Sequence, residues 1–215
     1  MSAGTRGTQR VVAPTTSAGA TSLAMLVRSR TTVRRDDGDV AAQLAELRAL
    51  RDREAIRDLA LLYTRATDDC DVDAVVDMFT DDGVFELRGR VAVGTDQLRA
   101  AYLVPMKAYR TMRHRVDAHV VDLVSDDEAV GWLTGSAELA TTESVVGTVF
   151  RYDDRYRRVE DRWRLAHRSV QFMYAVPVAE LSTALIGPDR IRWPGTRPRQ
   201  ADYPESVATW AALKG

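Results

Sequence analysis

At 215 residues the chain is long enough for one well-packed domain with tails and short for two. Its make-up, 45% hydrophobic and 28% charged, is that of a globular protein and excludes a disordered or fibrous one. Thirty Lys and Arg against 31 Asp and Glu leave a formal net charge of -1, so no global field draws the chain to nucleic acid or to an anionic membrane.

The first 38 residues are rich in Thr, Ser, Ala, Gly and Arg without periodicity, and a disordered tail is expected there. The apolar stretch Leu23 to Val27 is too short and mixed for a secretory signal, and no run approaches the roughly 20 apolar residues that span a bilayer. Cys70 is the only cysteine, which excludes an internal disulfide; with two clustered histidines it makes no zinc site, and a cytoplasmic location is expected.

From Val40 to Thr67 apolar residues recur near helical spacing at Leu44, Leu47, Ile56, Leu59, Tyr63 and Ala66, predicting a long amphipathic helix in one or two pieces. A short helix follows from Val72 to Phe79. The segment Thr80-Asp81-Asp82-Gly83 then turns the chain into a strand from Val84 to Arg90, and Thr95 is the expected N-cap of a helix from Asp96 to Tyr109.

After Tyr109 the period changes to two, with strands predicted at Met112 to Val124, Glu128 to Ala140, Val145 to Val159 and Trp163 to Tyr174. Helices first and a meander of long strands after them predict an α+β domain over residues 39–176, a curved antiparallel sheet with helices on its concave face. Residues 177–215 hold five prolines with Trp193, Tyr203 and Trp210, an extension expected to lie against the domain or a neighbouring subunit. No Gly-rich phosphate loop follows a strand and no nucleophile elbow is present, so nucleotide-dependent chemistry and serine hydrolysis lose support.

Two positions carry chemistry. Asp68 stands at the end of the long helix, at the margin of its apolar face, where the helix dipole opposes a carboxylate. His114 shares a strand face with Val116, Ala118 and Val120, whereas His119 falls on the other, wet face. Asp68, Asp69 and Asp71 also read as a solvated turn, and His114 as a satisfied core histidine. An acid facing His114 is what would separate these readings.

The order of Tyr63 and Asp68, Asp71-Val72-Asp73, the run from Phe79 to Phe85, and Arg113-His114 opening a strand resembles the SnoaL-like family of the nuclear transport factor 2 superfamily. It shares the plan of scytalone dehydratase, the bile-acid dehydratases and hexachlorocyclohexane dehydrochlorinase over residues 45–175. The resemblance implies a cone-shaped fold in which Asp68 and His114 meet as a dyad in a closed pocket and Tyr63 assists them. It also implies an apolar small-molecule substrate, no cofactor or metal, and a homodimer or homotrimer. Phe85, Trp132, Leu133, His167 and Arg168 are the expected substrate-binding positions, alternation leaving open which of His167 and Arg168 points inward. Trp132, Phe150 and Tyr152 are compatible with an outward subunit contact, Trp132 equally with the pocket rim.

The strand that carries a second histidine or an aspartate in those enzymes here reads Leu133, Gly135, Ala137 and Leu139, which disfavours dehydration and leaves proton abstraction. The expected function is a lyase or isomerase acting on an apolar ring compound such as a steroid or polyketide. The alternatives are a noncatalytic binder of small molecules and a structural subunit like the β subunit of ring-hydroxylating dioxygenases.

Overall fold

The computed structural model describes residues 39–214 together with Val27 and Thr31, so most of the tail expected over residues 1–38 lies outside the described residues. Residues from Leu44 onward form one compact unit. No helix among the described residues is long and apolar enough to cross a membrane.

Helix α1, Val40–Asp68, is one unbroken helix. Its buried stripe is Ile56, Ala60, Tyr63 and Thr67, at steps of four, three and four residues. Leu44 and Leu47, grouped with that stripe by their spacing, are exposed. At about 100° per residue, Leu47 stands half a turn out of phase with Ile56 nine positions later. After α2, Val72–Asp77, strand β1 begins at Phe79, earlier than the turn residues suggested. The Thr80-to-Gly83 segment is an irregularity inside β1 rather than a turn before it, since the pairing with the last strand shifts between Phe79 and Val84.

Strand β1, Phe79–Leu87, and strand β2, Arg90–Val93, form a hairpin where one strand was expected. Its two-residue loop, Arg88-Gly89, has φ of 57° and 75°, the left-handed pair that matches strand twist. Helix α3, Gly94–Ala108, starts just before Thr95; the Val93 N–H is met by the Gln97 side chain and Thr95 makes no cap.

The meander comprises β3, Thr111–Leu123; β4, Glu128–Ala140; β5, Val145–Val159; and β6, Arg162–Pro177. These four strands pair antiparallel in sequence, as their alternation predicted. The sheet runs β2-β1-β6-β5-β4-β3, and β1 joins β6 in parallel, so the curved open sheet is mixed rather than wholly antiparallel. One core unites Ile56, Ala60 and Tyr63 of α1, Leu98, Tyr102 and Met106 of α3, and the inner faces of the strands.

Beyond β6, a 3₁₀ turn at Val178–Glu180 and helices α4, Leu181–Ala184, and α5, Ala208–Lys214, belong to the extension. Of the two expected placements, its aromatic residues take the one within the chain. Trp193 meets Phe172 edge to face at 5.5 Å, and the Arg151 guanidinium lies 3.9 Å over Tyr203. Buried Arg190 ties the segment down, donating to the carbonyls of Met173, Gly187 and Tyr203 and pairing with Glu205.

Candidate active site

Asp68 is delivered by the way α1 ends. Cys70 adopts a left-handed φ of 59° and donates to the Thr67 carbonyl, while the Asp71 N–H donates to the Ala66 carbonyl. This pair of bonds is a Schellman stop, here formed without glycine, and it halts the helix directly after Asp68. The neighbouring aspartates have other tasks: Asp69 pairs with Arg65, Asp71 caps α2 at the Ala74 N–H, and Asp73 pairs with Arg99. The acidic turn is therefore a set of differently engaged carboxylates.

His114 lies near the start of β3, the outer strand of the sheet. Its backbone N–H donates to both Asp68 oxygens, at 2.9 and 3.1 Å, and its ring Nδ1 stands 2.6 Å from Asp68 Oδ1. An ionised carboxylate only accepts, so Nδ1 is the nitrogen that donates, and in the neutral ring Nε2 is then the one with the lone pair. The side chains are 12% exposed for His114 and 21% for Asp68, shielded but not sealed. The grooves at α1 and at the C-terminal extension are lined by neither residue.

Beside the dyad lies an aromatic wall. His114 stands 6.2 Å from the Phe150 ring, which stacks on Tyr152 at 4.7 Å, and Tyr152 meets Tyr63 at 6.2 Å. Phe150 and Tyr152 were compatible with an outward contact; both are buried and belong to this inner wall. Gly135 makes room for it, because a Cβ there would fall 2.8 Å from the Phe150 ring and 2.6 Å from the Arg115 carbonyl. Tyr63 shares a 2.9 Å hydroxyl bond with Tyr102, whose ring lies 4.9 Å from Phe85. Burial raises the Tyr102 and Tyr152 hydroxyls well above the usual tyrosine range.

A second polar cluster lies deeper. Arg168 is wholly buried and holds Asp154 through two bonds of 2.9 and 2.7 Å, with its guanidinium 4.2 Å from both the Tyr63 and Tyr152 rings. Burial alone would lower its pKa, but the attraction and hydrogen bonds of Asp154 outweigh this and leave it raised. Its Nη1 has no hydrogen-bond partner among the described residues. Tyr156 donates to Asp154 at 2.7 Å, and His119 Nε2 meets the Tyr156 hydroxyl at 3.1 Å. With the Tyr156 proton committed to Asp154, Nε2 is the donor, and His119 Nδ1 is left as a buried lone pair without a partner among the described residues.

His119 was expected on the wet face. The register of β3 shifts between Val116 and Ala118, and this bulge returns His119 to the inner side with buried Val121. Desolvation lowers its pKa to about 4, so the ring is neutral near pH 7.

The expected lining residues divide. Phe85, Leu133 and Arg168 face the core. His167 takes the outer side of β6, 3.7 Å from Glu86, and Trp132 alternates with buried Leu133 onto the opposite face of β4. Tyr63 reaches the dyad only through the ring wall, with no direct bond to Asp68 or His114 among the described residues. Among those residues no three His, Cys, Asp or Glu side chains cluster as metal ligands.

Residues 48–169 match the SnoaL-like domain. The chain belongs to the SnoaL-like family. No curated protein matches it. Among solved structures, this SnoaL-like chain is similar to a candidate scytalone dehydratase from Novosphingobium aromaticivorans, with 18% identity, 60% of this chain and 89% of the other covered, and a TM-score of 0.57. It is also similar to a hexachlorocyclohexane dehydrochlorinase, LinA-type3, from Novosphingobium barchaimii, with 19% identity, coverage of 62% and 94%, and a TM-score of 0.58. A third, a candidate aromatic ring hydroxylase from Novosphingobium aromaticivorans, is 26% identical over 61% of this chain and 96% of that one, at a TM-score of 0.57. These likenesses carry the fold alone. They leave the reaction to the residues.

Proposed function

We propose that this SnoaL-like protein is a lyase or isomerase in which His114 acts as a general base on an apolar ring compound. The observation that carries the reading is the 2.6 Å contact between His114 Nδ1 and Asp68 Oδ1. It holds one tautomer of the ring, in which Nε2 is the nitrogen able to accept a proton. That nitrogen takes a proton from carbon or oxygen of the substrate. The electrons of the broken bond then form a double bond, either expelling a leaving group on the adjacent carbon or shifting to a new site of protonation.

The wall of Phe85, Phe150 and Tyr152 supports a flat apolar substrate, which such rings contact face or edge. The Tyr63–Tyr102 hydroxyl pair and Arg168 Nη1 are the groups suited to stabilise charge developing on a departing or carbonyl atom. A second reading, a noncatalytic binder, is favoured by the apolar β4 positions Leu133 and Ala137, which offer no second acid or base.

The test is a thermal-shift screen of apolar ring compounds against the wild type and His114→Ala, followed by incubation of each hit in D₂O and mass analysis of what is recovered. Conversion, or deuterium incorporation, that requires His114 supports catalysis. A compound that stabilises both proteins equally and returns unchanged and unlabelled makes the protein a binder.

A further inference from the structure

The surface of α1 opposite the core carries a pattern that the functional reading does not use. Leu44, Leu47, Arg51, Glu54, Asp58, Leu61 and Arg65 follow one another at alternating steps of three and four residues, the spacing of a coiled-coil seam. All seven are exposed, and the leucines strongly so: Leu44 49%, Leu47 54%, Leu61 55%, with Leu62 beside them at 58%. With Val40 and Leu50, which are also exposed, α1 holds six large aliphatic side chains in water, a cost that burial would reduce.

The order of charge along the seam is what selects an occupant. Leucines stand at both ends, a cation at Arg51 follows the first pair, and anions at Glu54 and Asp58 precede the second. Among the described residues Arg51 and Asp58 form no ion pair, and Glu54 has only a loose 3.4 Å contact with Arg57. Turned end for end, the pattern complements itself: Arg51 of one copy meets Glu54 and Asp58 of the other, and Leu44 and Leu47 meet Leu61 and Leu62. A parallel pair would instead set Arg51 against Arg51 and Asp58 against Asp58.

We infer that α1 is a self-recognition surface on which a second copy of this chain docks antiparallel, giving a two-fold dimer. The contact is isologous, each helix supplying both halves of it. Arg51, Asp58 and Leu62 also line one side of a groove of about 790 Å³ that reaches in to Leu59 and Trp163, space that side chains of the second helix would enter. Nothing in this surface depends on the chemistry at His114.

The experiment is sedimentation of the full chain over a range of concentrations, with far-UV circular dichroism to check folding, for the wild type and three variants. Leu47→Glu/Leu62→Glu changes only exposed side chains and is expected to leave a folded monomer. Arg51→Glu alone places three acids in each facing set, and Glu54→Arg/Asp58→Arg places three cations; each alone is expected to be monomeric, and the two mixed in equal amounts are expected to associate. A wild type that stays monomeric at every concentration overturns the inference. So does an oligomer that all three variants leave intact, or charge variants that fail to associate when mixed.

Discussion

Asp68 grips His114 twice, by the ring at 2.6 Å and by the backbone N–H at 2.9 and 3.1 Å. The second contact satisfies an amide on the sheet edge that no further strand pairs. One carboxylate thus sets both the tautomer of the ring and the docking of α1's end on β3.

Asp68→Asn separates these tasks. The amide oxygen still accepts from the backbone, so the fold is retained at a cost of about 1–2 kcal/mol in urea unfolding. The charge that orients the ring is lost, and ¹⁵N spectra of the imidazole are expected to show the Nδ1–H tautomer giving way to a mixture. Any turnover found for the wild type should fall by roughly 10²-fold or more, within the range attributed to positioned acid–base catalysis.

His119 makes stability depend on pH. Its folded pKa of about 4 lies below the ordinary 6.5, so between those values the unfolded chain binds more protons than the folded one. Its contribution is fully present above pH 6.5 and declines as pH falls toward 4, by on the order of 1–2 kcal/mol once solvent screening is allowed for. Urea melts of wild type and His119→Gln should diverge over that window, the variant lacking this part of the slope. Parallel curves would show that the histidine titrates normally.

Arg168 and Asp154 are a buried pair, and each depends on the other. Arg168→Met leaves the carboxylate uncompensated and should destabilise by about 3–5 kcal/mol, whereas adding Asp154→Leu should recover part of that loss. A double-mutant cycle in guanidinium measures the coupling; additive effects would contradict the pairing.

Gly135→Ala tests the aromatic wall. Its methyl would enter space held by the Phe150 ring and the Arg115 carbonyl, and a loss of about 1–3 kcal/mol is expected in thermal or urea unfolding.

Much of this was legible before any coordinates. Periodicity marked α1 and all four meander strands, and the motif order brought Asp68 and His114 forward as a pair. What escaped it were register events. A single bulge near Asp117 inverts the facing of His119, and the inward course of Phe150 and Tyr152 follows from pairing with β4 and β6 rather than from alternation alone. A period of two tells which residues share a face but not which face is buried, so Arg168 and His167 were indistinguishable until β6 was placed. The β1–β2 hairpin was hidden because its left-handed turn begins with Arg88 instead of the Asn or Asp that usually announces it. The outer seam of α1 was masked differently: Leu44 and Leu47 were counted with the core stripe although they lie on the other side of the helix.

The left-handed stop after Asp68 has a practical consequence. Cys70, which occupies it, is the chain's sole thiol and is exposed two residues from the dyad's carboxylate. A maleimide fluorophore or nitroxide therefore attaches at one known position without first removing other thiols, and its signal reports directly on the hinge between α1 and α2 as small molecules are titrated in.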